Sequence, residues 1–320
     1  MIARGGIDLG GTKIQTAVVD GRNKVRGEAR VPTPTSGGPA DVAAAMAGAM
    51  REAAEQAGTE TGKLLGVGVG APGDADPRGV VSGASNLPGW EGSYPLADEL
   101  QKQLGTKVIV GGDVQVATEA EFRLGAGKPY SSILGVFWGT GVGGGLVLDG
   151  KPWIGRGNAG EIGHMVIERG GERCPCGRRG CIEAYAGRGA MEAKARHEHK
   201  QGTNTDLFKI MKERGHDRLK SSVWEHAVED RDKLAIHLID RAVKALAAGI
   251  ASAVNLLDPE AVIIGGGLGT RFGQPYVKRI EERMHKHLFV DDRPPAMHVA
   301  ALGDLGGAIG AALLVAEPRG

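Results

Sequence analysis

Residues 6–21, GIDLGGTKIQTAVVDG, and residues 135–150, GVFWGTGVGGGLVLDG, align with each other without a gap. Gly10 meets Gly139, and both copies end in an Asp-Gly pair. Each copy reads as a short apolar strand, a glycine-rich turn and a second strand with β-branched residues, and the Asp-Gly pair favours a tight hairpin. The sequence therefore predicts two halves that open with the same hairpin.

The rest of the chain alternates between helix-like and strand-like segments. Helices are expected at 39–57, 95–104, 113–124, 181–196, 230–257, 274–287 and 305–316, and buried strands at 64–70, 108–111, 261–264 and 297–302. The charged stretch 197–230 is interpreted as a helical insertion on the surface. Strands that alternate with helices indicate an α/β protein with a mixed sheet in each half.

The composition argues against several classes of partner. The 320 residues include 39 Lys and Arg against 38 Asp and Glu, a formal net charge of +1, so electrostatics give no reason to expect nucleic acid or an anionic membrane. No apolar run is long enough to cross a bilayer, and no signal-peptide pattern opens the sequence. We therefore expect a cytoplasmic protein that acts on a small molecule, with no nucleic-acid or membrane partner.

Three glycine runs are candidate phosphate-binding turns. Gly10-Gly11-Thr12 and Gly139-Thr140-Gly141 join paired strands, and Gly265-Gly266-Gly267 separates a strand from a helix. Such turns leave backbone N–H groups free to cradle phosphate oxygens, although plain hairpin punctuation is the alternative. Neither paired turn is a P-loop or a dinucleotide fingerprint. Asp8, just before the first turn, could hold a hydrated Mg²⁺ or could cap the turn.

Residues 174–181, CPCGRRGC, contain all three cysteines of the chain. An odd number of cysteines in a protein expected inside the cell argues against a disulfide framework. Cys174, Cys176 and Cys181 supply three thiolates, and His164 upstream supplies an imidazole, which together form a recognised structural zinc set. We favour zinc over three unliganded thiols. With all four positions filled, the metal would not activate water.

Five motifs follow one another along the chain: DLGGTK at 8–13, NLPGW at 86–90, GTGVGGG at 139–145, GEIGHM at 160–165 and CPCGRRGCIE at 174–183. With these motifs the sequence resembles the ROK family of sugar kinases and related repressors, and within it the bacterial glucokinases. The resemblance implies an actin-like (ribonuclease H-like) two-domain sugar-kinase fold with duplicated mixed sheets, with sugar in the cleft between the domains and ATP on the glycine turns.

The resemblance also implies where the domains divide. A small N-terminal α/β domain would comprise 1–112 and about 303–320. A large C-terminal α/β domain would comprise 113–302, with the zinc loop at 164–181 and the helical insertion at about 197–230.

Individual residues acquire roles from the same resemblance. Asp113 matches the general base on the sugar hydroxyl, although by position alone a helix N-cap is the better interpretation. The residues expected to hold sugar hydroxyls are Asn86, Asp113, Glu161, His164 and Glu183. The residues expected to hold the nucleotide phosphates and Mg²⁺ are Asp8, Gly10, Gly11, Thr12, Lys13, Gly139, Thr140, Gly141, Gly265, Gly266 and Gly267.

The sequence departs from the family pattern at Gly112, where an Asn is expected before the Asp. One hydrogen bond to a sugar hydroxyl is therefore in doubt, and such a loss costs roughly 1–3 kcal/mol, enough to shift preference between epimers. Gln115 is one possible replacement.

The expected activity is ATP-dependent phosphorylation of the C6 hydroxyl of a hexose, with glucose as the first choice. An N-acetylhexosamine, mannose or another hexose is the alternative acceptor, and polyphosphate is the alternative donor. A sugar-responsive repressor of the same family would need a DNA-binding module, for which the hairpin at residue 6 leaves no room. A homodimer is expected because dimers are common in the family.

Overall fold

A computed structural model describes residues 2–84 and 87–315 of the chain. The first half contains the elements β1 (Ala3–Leu9), β2 (Lys13–Asp20), β3 (Val25–Pro32), α1 (Pro39–Gln56), β4 (Val67–Ala71), β5 (Asp74–Ala75), β6 (Val81–Ser82), β7 (Ser93–Tyr94), α2 (Leu96–Leu104), β8 (Val108–Gly112) and α3 (Asp113–Leu124).

The second half contains β9 (Ile133–Trp138), β10 (Val142–Leu148), β11 (Lys151–Pro152), α4 (Ile182–Ala186), α5 (Arg188–Lys200), α6 (Leu207–Glu213), α7 (Ser221–Glu229), α8 (Lys233–Leu257), β12 (Ala261–Gly265), α9 (Gly266–His285), β13 (Ala296–Val299) and α10 (Gly306–Leu313). Short 3₁₀ turns cover Thr61–Lys63, Ile162–His164 and Gly303–Leu305.

The two halves are built on sheets of the same topology. The first sheet has the order β3-β2-β1-β4-β8 and the second has the order β11-β10-β9-β12-β13. In each, the opening hairpin is antiparallel and the next two strands are parallel to its first strand. The predicted pair of mixed sheets is therefore confirmed, down to the position of the repeated hairpin. A small antiparallel sheet, β5-β6-β7, adds to the first half.

The first sheet is covered by helices on both faces. Helix α1 packs on β2 and β3, and α10 packs on β1, β2 and β4. The backbone of α10 comes so close that a Cβ at Gly6 or Gly68 would overlap a helix carbonyl oxygen, at Ala308 and Ala311 respectively. Glycine is required at these two strand positions because no other residue lets a helix backbone approach so near.

Each half has its own hydrophobic cluster. One joins α1 to the first sheet, and the other joins α8, α9 and the second sheet. Helix α3 lies between these groups, since it packs against α10 and β4 as well as against β9 and β10. The division of the chain at 112 and about 303 stays a prediction.

Two helices differ in detail from the sequence-based expectation. The helix expected at 181–196 is two helices, α4 and α5, because the chain leaves helical geometry at Gly187. The helix expected at 274–287 matches the part of α9 that follows Gly273, whose φ of 59° breaks the helix, and a segment from Gly266 that was not predicted precedes it. The remaining predicted elements are present with ends shifted by a few residues.

The insertion at 197–230 is helical, as predicted, but its description as a surface feature is wrong. Helices α6 and α7 pack on each other, and α7 also packs on α8 and α9. Trp224 is fully buried within the cluster of the second half. The apolar residues of this segment recur at helical spacing and form one buried face. The overall composition of the segment, which is rich in charged residues, does not reveal this face.

No helix in the described ranges combines the length and apolarity needed to span a bilayer.

Candidate active site

The first glycine turn links β1 to β2 and is held by hydrogen bonds within the hairpin and from Thr33. Gly10 N donates to Lys13 O at 3.0 Å, and Thr33 Oγ1 donates to Gly10 O at 2.6 Å. Within residues 2–84 and 87–315, the amides of Gly11 and Thr12 donate to no protein acceptor. The turn therefore presents two free N–H groups of the kind that bind phosphate oxygens.

The carboxylate of Asp8 lies beside this turn, over the first turn of α10. A Cβ at Gly307 would lie 2.7 Å from Asp8 Oδ2. Burial raises the pKa of Asp8 to about 6, while the Lys13 ammonium lowers it and the Asp304 carboxylate raises it. Among the described residues, no donor forms a hydrogen bond or ion pair with this carboxylate, so the turn-capping alternative is wrong. The carboxylate therefore lacks a protein donor within the described residues, a state that is compatible with binding a hydrated cation.

Asp113 is the first residue of α3, where β8 ends. The N-cap is Gly112, in extended geometry with φ −65° and ψ 134°, so the N-cap interpretation of Asp113 is wrong. Burial raises the pKa of Asp113 to about 7, and the charges on Asp8 and Glu161 add to the effect, partly offset by the Val114 N–H that its carboxylate accepts. A carboxylate that titrates near neutrality is suited to general-base catalysis.

Glu161 and His164 are placed by the 3₁₀ turn Ile162–His164, which lies against β10. Gly163 approaches that strand so closely that a Cβ would overlap the carbonyl oxygen of Val142. Glu161 Oε2 lies 3.9 Å from His164 Nε2, and the charge of Glu161 raises the pKa of Asp113, so the two carboxylates are close enough to interact. Asn86, the remaining residue assigned to the sugar, lies outside the described residues.

Glu183 lies on α4 and reaches the second glycine turn. Its Oε2 accepts the amide hydrogen of Val142 at 2.8 Å, and the same oxygen fills the space that a side chain at Gly141 would need. One carboxylate oxygen is thus committed to the backbone that follows the turn. The other oxygen accepts no hydrogen bond from a described residue.

The second and third glycine runs are neighbours in space. A Cβ at Gly139 would lie 3.7 Å from Gly267 N, and Gly266, with a φ of 79°, passes close to the backbone of Trp138. In the part of the chain that the structure describes, the amides of Thr140 and Gly141 donate to no protein acceptor. The structure therefore joins these two runs into one surface.

The three cysteines and His164 form a compact cluster, as predicted. One donor atom from each residue lies within 4.8 Å of the others. Cys176 Sγ is 3.8 Å from Cys181 Sγ, and Cys174 Sγ is 3.7 Å from His164 Nδ1. Tetrahedral zinc with Zn–S bonds of about 2.3 Å separates its ligand atoms by about 3.8 Å, so the donor set and its spacing fit zinc. His164 would bind through Nδ1, which leaves Nε2 facing Glu161.

Gln115 partly fills the space beside Gly112. Its Nε2 donates to Gly157 O at 2.8 Å, and its Oε1 would lie 3.3 Å from a Cβ at Gly112. The amide nitrogen is therefore occupied by the loop before Glu161, and only the oxygen faces the position of the missing Asn. As a replacement, Gln115 can accept a hydrogen bond from a sugar but has little donor capacity left.

The junction of α4 and α5 is bound to the second glycine turn, which the sequence analysis missed. Arg188 N donates to Gly139 O at 3.1 Å, and Gly189 N donates to Thr140 O at 3.0 Å. The Arg188 guanidinium donates to Thr140 Oγ1 at 2.8 Å. The available signal was Gly187, which interrupts the predicted helix immediately before this arginine.

Comparisons with known proteins agree with this geometry. The chain is 32% identical to a glucokinase from Thermotoga maritima, across 98% of both proteins, and 31% identical to an N-acetyl-D-glucosamine kinase from Salmonella dublin, across 97% of this chain and 98% of the relative. It resembles the crystal structure of a ROK family glucokinase from Streptomyces griseus in complex with glucose and AMPPNP, with 31% identity, 98% of each chain covered and a TM-score of 0.82.

These similarities confirm the predicted actin-like fold with duplicated mixed sheets. The sequence model of the ROK family matches residues 4–318, nearly the whole chain. The chain therefore belongs to the ROK family, as its five motifs predicted.

Proposed function

We propose that the protein is a hexokinase that transfers the γ-phosphoryl group of ATP to the C6 hydroxyl of a hexose, with glucose as the preferred acceptor. The observation that carries this proposal is Asp113, a buried carboxylate with a pKa of about 7 at the start of α3. The charges of Asp8, which we assign to the metal, and of Glu161, which we assign to the sugar, both raise this pKa. Relatives named glucokinase and N-acetyl-D-glucosamine kinase support a sugar kinase.

In the reaction that we propose, a carboxylate oxygen of Asp113 accepts the proton of the sugar C6 hydroxyl. At the same time the C6 oxygen of the sugar attacks the γ-phosphorus. The bond between the γ-phosphorus and the β,γ-bridging oxygen breaks, and ADP leaves with the bond electrons. A sugar hydroxyl is a weak nucleophile, so an aligned base is the main protein contribution besides positioning. The free amides of the glycine turns stabilise the phosphate oxygens throughout.

The two metals have separate places in this proposal. Asp8 would hold Mg²⁺ through water, and the ion would neutralise charge on the donor phosphates. The Cys₃His cluster would hold zinc with no open position, so its contribution is structural. Through His164 and the loop that ends at Glu183, the cluster would fix two residues that contact the sugar.

The preference for glucose rests on the relatives named glucokinase, whereas Gly112 leaves other acceptors open. Without a side chain at Gly112 the pocket is wider than the family pattern implies, which also admits N-acetylhexosamines or mannose. A coupled assay that crosses ATP and polyphosphate with a hexose panel tests acceptor and donor together. Glucose with ATP should have the highest kcat/KM, and a preference for an N-acetylhexosamine or for polyphosphate would replace that part of the proposal.

Two variants make the assay specific to the proposed site. Asp113→Ala should retain zinc and its fold but lose turnover by roughly 10²–10⁴-fold, the range of general-base catalysis. Near wild-type turnover in Asp113→Ala would show that the base lies elsewhere. Gly112→Asn restores the family residue and should change the ratio of kcat/KM between sugars, while Gly48→Ala on the exposed face of α1 should leave that ratio unchanged.

We further propose a homodimer, in line with the family expectation. Multi-angle light scattering would decide between a mass near 33.2 kDa for the single chain and twice that mass. A cytoplasmic location stays a prediction.

A further inference from the structure

The guanidinium of Arg188 is a half-buried positive charge at the edge of the second glycine turn. Its hydrogen bonds go to Thr140 Oγ1 at 2.8 Å and to Ser221 Oγ at 3.4 Å, both of them uncharged hydroxyls. Among the described residues, no carboxylate lies within ion-pair distance of it. Burial lowers the pKa of Arg188 and the charge on Arg218 lowers it further, while the charge on Glu192 raises it.

The acidic residue whose charge acts on Arg188 is hydrogen-bonded to other groups. Glu192, on α5, accepts hydrogen bonds from Arg196 at 2.6 and 3.0 Å, and its other oxygen lies 3.6 Å from Arg218. Glu192 is also buried, and it accepts the backbone N–H of Leu219. Glu192 follows Arg188 by one helical turn and its charge raises the pKa of Arg188, but its oxygens are bonded to Arg196 and Leu219. Among the described residues, Arg188 therefore forms no ion pair of its own. A partly desolvated cation without a paired anion is costly, unless a bound ligand supplies the negative charge.

The surroundings of Arg188 also favour an anion. Arg188 is the first residue of α5 and Ser221 is the first residue of α7, so two helix N-termini meet at the guanidinium. The N-terminus of α9 is adjacent, because a Cβ at Gly267 would lie 3.2 Å from Ser221 Oγ. Helix N-termini carry partial positive charge, and the three of them reinforce that of the arginine.

We propose that Arg188 is a donor-binding residue, which contacts a phosphate of the donor other than the one transferred and which Thr140 and Ser221 hold in place. The inference rests on the proposed kinase function and names a residue for its donor side. Guanidinium groups bind phosphate oxygens through paired N–H bonds, which a lysine cannot reproduce. Arg188 would thus bind the phosphate chain of the donor and would not contact the nucleoside.

Steady-state kinetics of Arg188→Gln and Arg188→Lys test this assignment. Loss of a charged hydrogen bond to phosphate should raise KM for ATP roughly 10- to 100-fold in Arg188→Gln. KM for glucose should change by less than about twofold, because the sugar lies on the other side of the transferred group. Arg188→Lys should fall between wild type and Arg188→Gln, since it keeps the charge without the planar fork.

A binding measurement identifies the part of the donor that Arg188 contacts. In calorimetric titrations, inorganic tripolyphosphate should bind Arg188→Gln more weakly than wild type by a factor similar to the change in KM, while the affinity for adenosine should stay the same. Equal losses for adenosine and tripolyphosphate, or no loss for tripolyphosphate, would overturn the assignment.

Matched controls separate binding from folding. Arg271→Gln removes another arginine of the same region, one that is paired with Glu225 at 2.7 Å, and should leave KM for ATP unchanged. Ser221→Ala removes only one hydroxyl that orients Arg188, and should raise KM for ATP by a few-fold even if Arg188→Gln unfolds. Wild-type protein that binds tripolyphosphate but phosphorylates no hexose would reject the proposed function and leave the Arg188 assignment standing.

Discussion

Replacing Asp113 by Asn is expected to stabilise the protein above neutral pH while it removes activity. The pKa of Asp113 is raised from 3.8 to about 7, because burial and the charges on Asp8 and Glu161 disfavour its ionised form. A difference of about 3 pKa units, at about 1.36 kcal/mol each, means that ionising Asp113 costs about 4 kcal/mol of folding free energy. Asn has the shape of the neutral acid and carries no such cost.

The gain depends on pH in a defined direction. Below pH 3.8 the carboxyl group is protonated in the folded and unfolded chains alike, so it has no effect. As pH rises from 3.8 to about 7 the unfolded chain ionises first, so the folded state loses relative stability, and above about 7 the full cost is present. The free energy of unfolding of Asp113→Asn should therefore exceed that of wild type by about 4 kcal/mol near pH 8 and by little near pH 4.

Urea unfolding monitored by circular dichroism, repeated across this pH range, measures the difference. Asp291→Asn, at an exposed position, is the matched control and should show no such trend. Turnover by Asp113→Asn should be lower than that of wild type by roughly 10²–10⁴-fold near pH 8, and the difference should shrink below pH 7, where Asp113 of wild type becomes protonated. A variant that is no more stable than wild type near pH 8, or a gain that does not vary with pH, would refute the idea that Asp113 is a buried charge kept for catalysis.

Three further predictions concern the base, the metal and the packing of the site. For wild type, kcat/KM should fall about tenfold per pH unit below a pKa of about 7 as Asp113 becomes protonated. Glu161→Gln should move this acidic limb to lower pH, because the charge of Glu161 raises the pKa of Asp113. A limb at unchanged pH would show that Glu161 does not influence the group that titrates. Elemental analysis should find about one zinc per chain, and Cys176→Ala should lower zinc content, sugar affinity and melting temperature. Unchanged zinc content together with unchanged sugar affinity would show that the cluster does not position the sugar-binding residues. Gly163→Ala should lower the free energy of unfolding by about 1–3 kcal/mol, because its Cβ would overlap a carbonyl oxygen of β10. Gly48→Ala, in open space on α1, should raise the free energy of unfolding by roughly 0.5–1 kcal/mol. Equal effects of the two variants in thermal unfolding would contradict the close contact of Gly163 with β10.

The elements that the sequence predicted well are those with local signals. The two hairpins combine alternating strands, glycine turns and Asp-Gly pairs within sixteen residues each, so both copies could be placed before any tertiary contact was known. The Cys₃His set was equally legible, because ligand type and spacing are visible in one short segment. The structure brings those donor atoms within 4.8 Å of each other.

The features that the sequence did not reveal depend on distant contacts. Trp224 lies in a segment whose charged residues outweigh its apolar ones, and only its packing between α8 and α9 shows that it belongs to the core. Arg188 looks like any exposed basic residue until Thr140 and Ser221 are placed beside it. Gln115 was considered as a sugar ligand, yet its amide nitrogen is taken by Gly157, which follows it by 42 positions.

The close seating of α10 on β1 and β4 also bears on how the chain is made. The helix begins at Gly306 and the strand ends at Leu9, so roughly 300 residues are synthesised between the two. At about 5–20 residues per second, the ribosome takes roughly 15–60 s to cover that distance. During this time one face of the first sheet, with its glycine positions at Gly6 and Gly68, has no covering helix. The first half of the protein can therefore complete its folding only after the second half has been made.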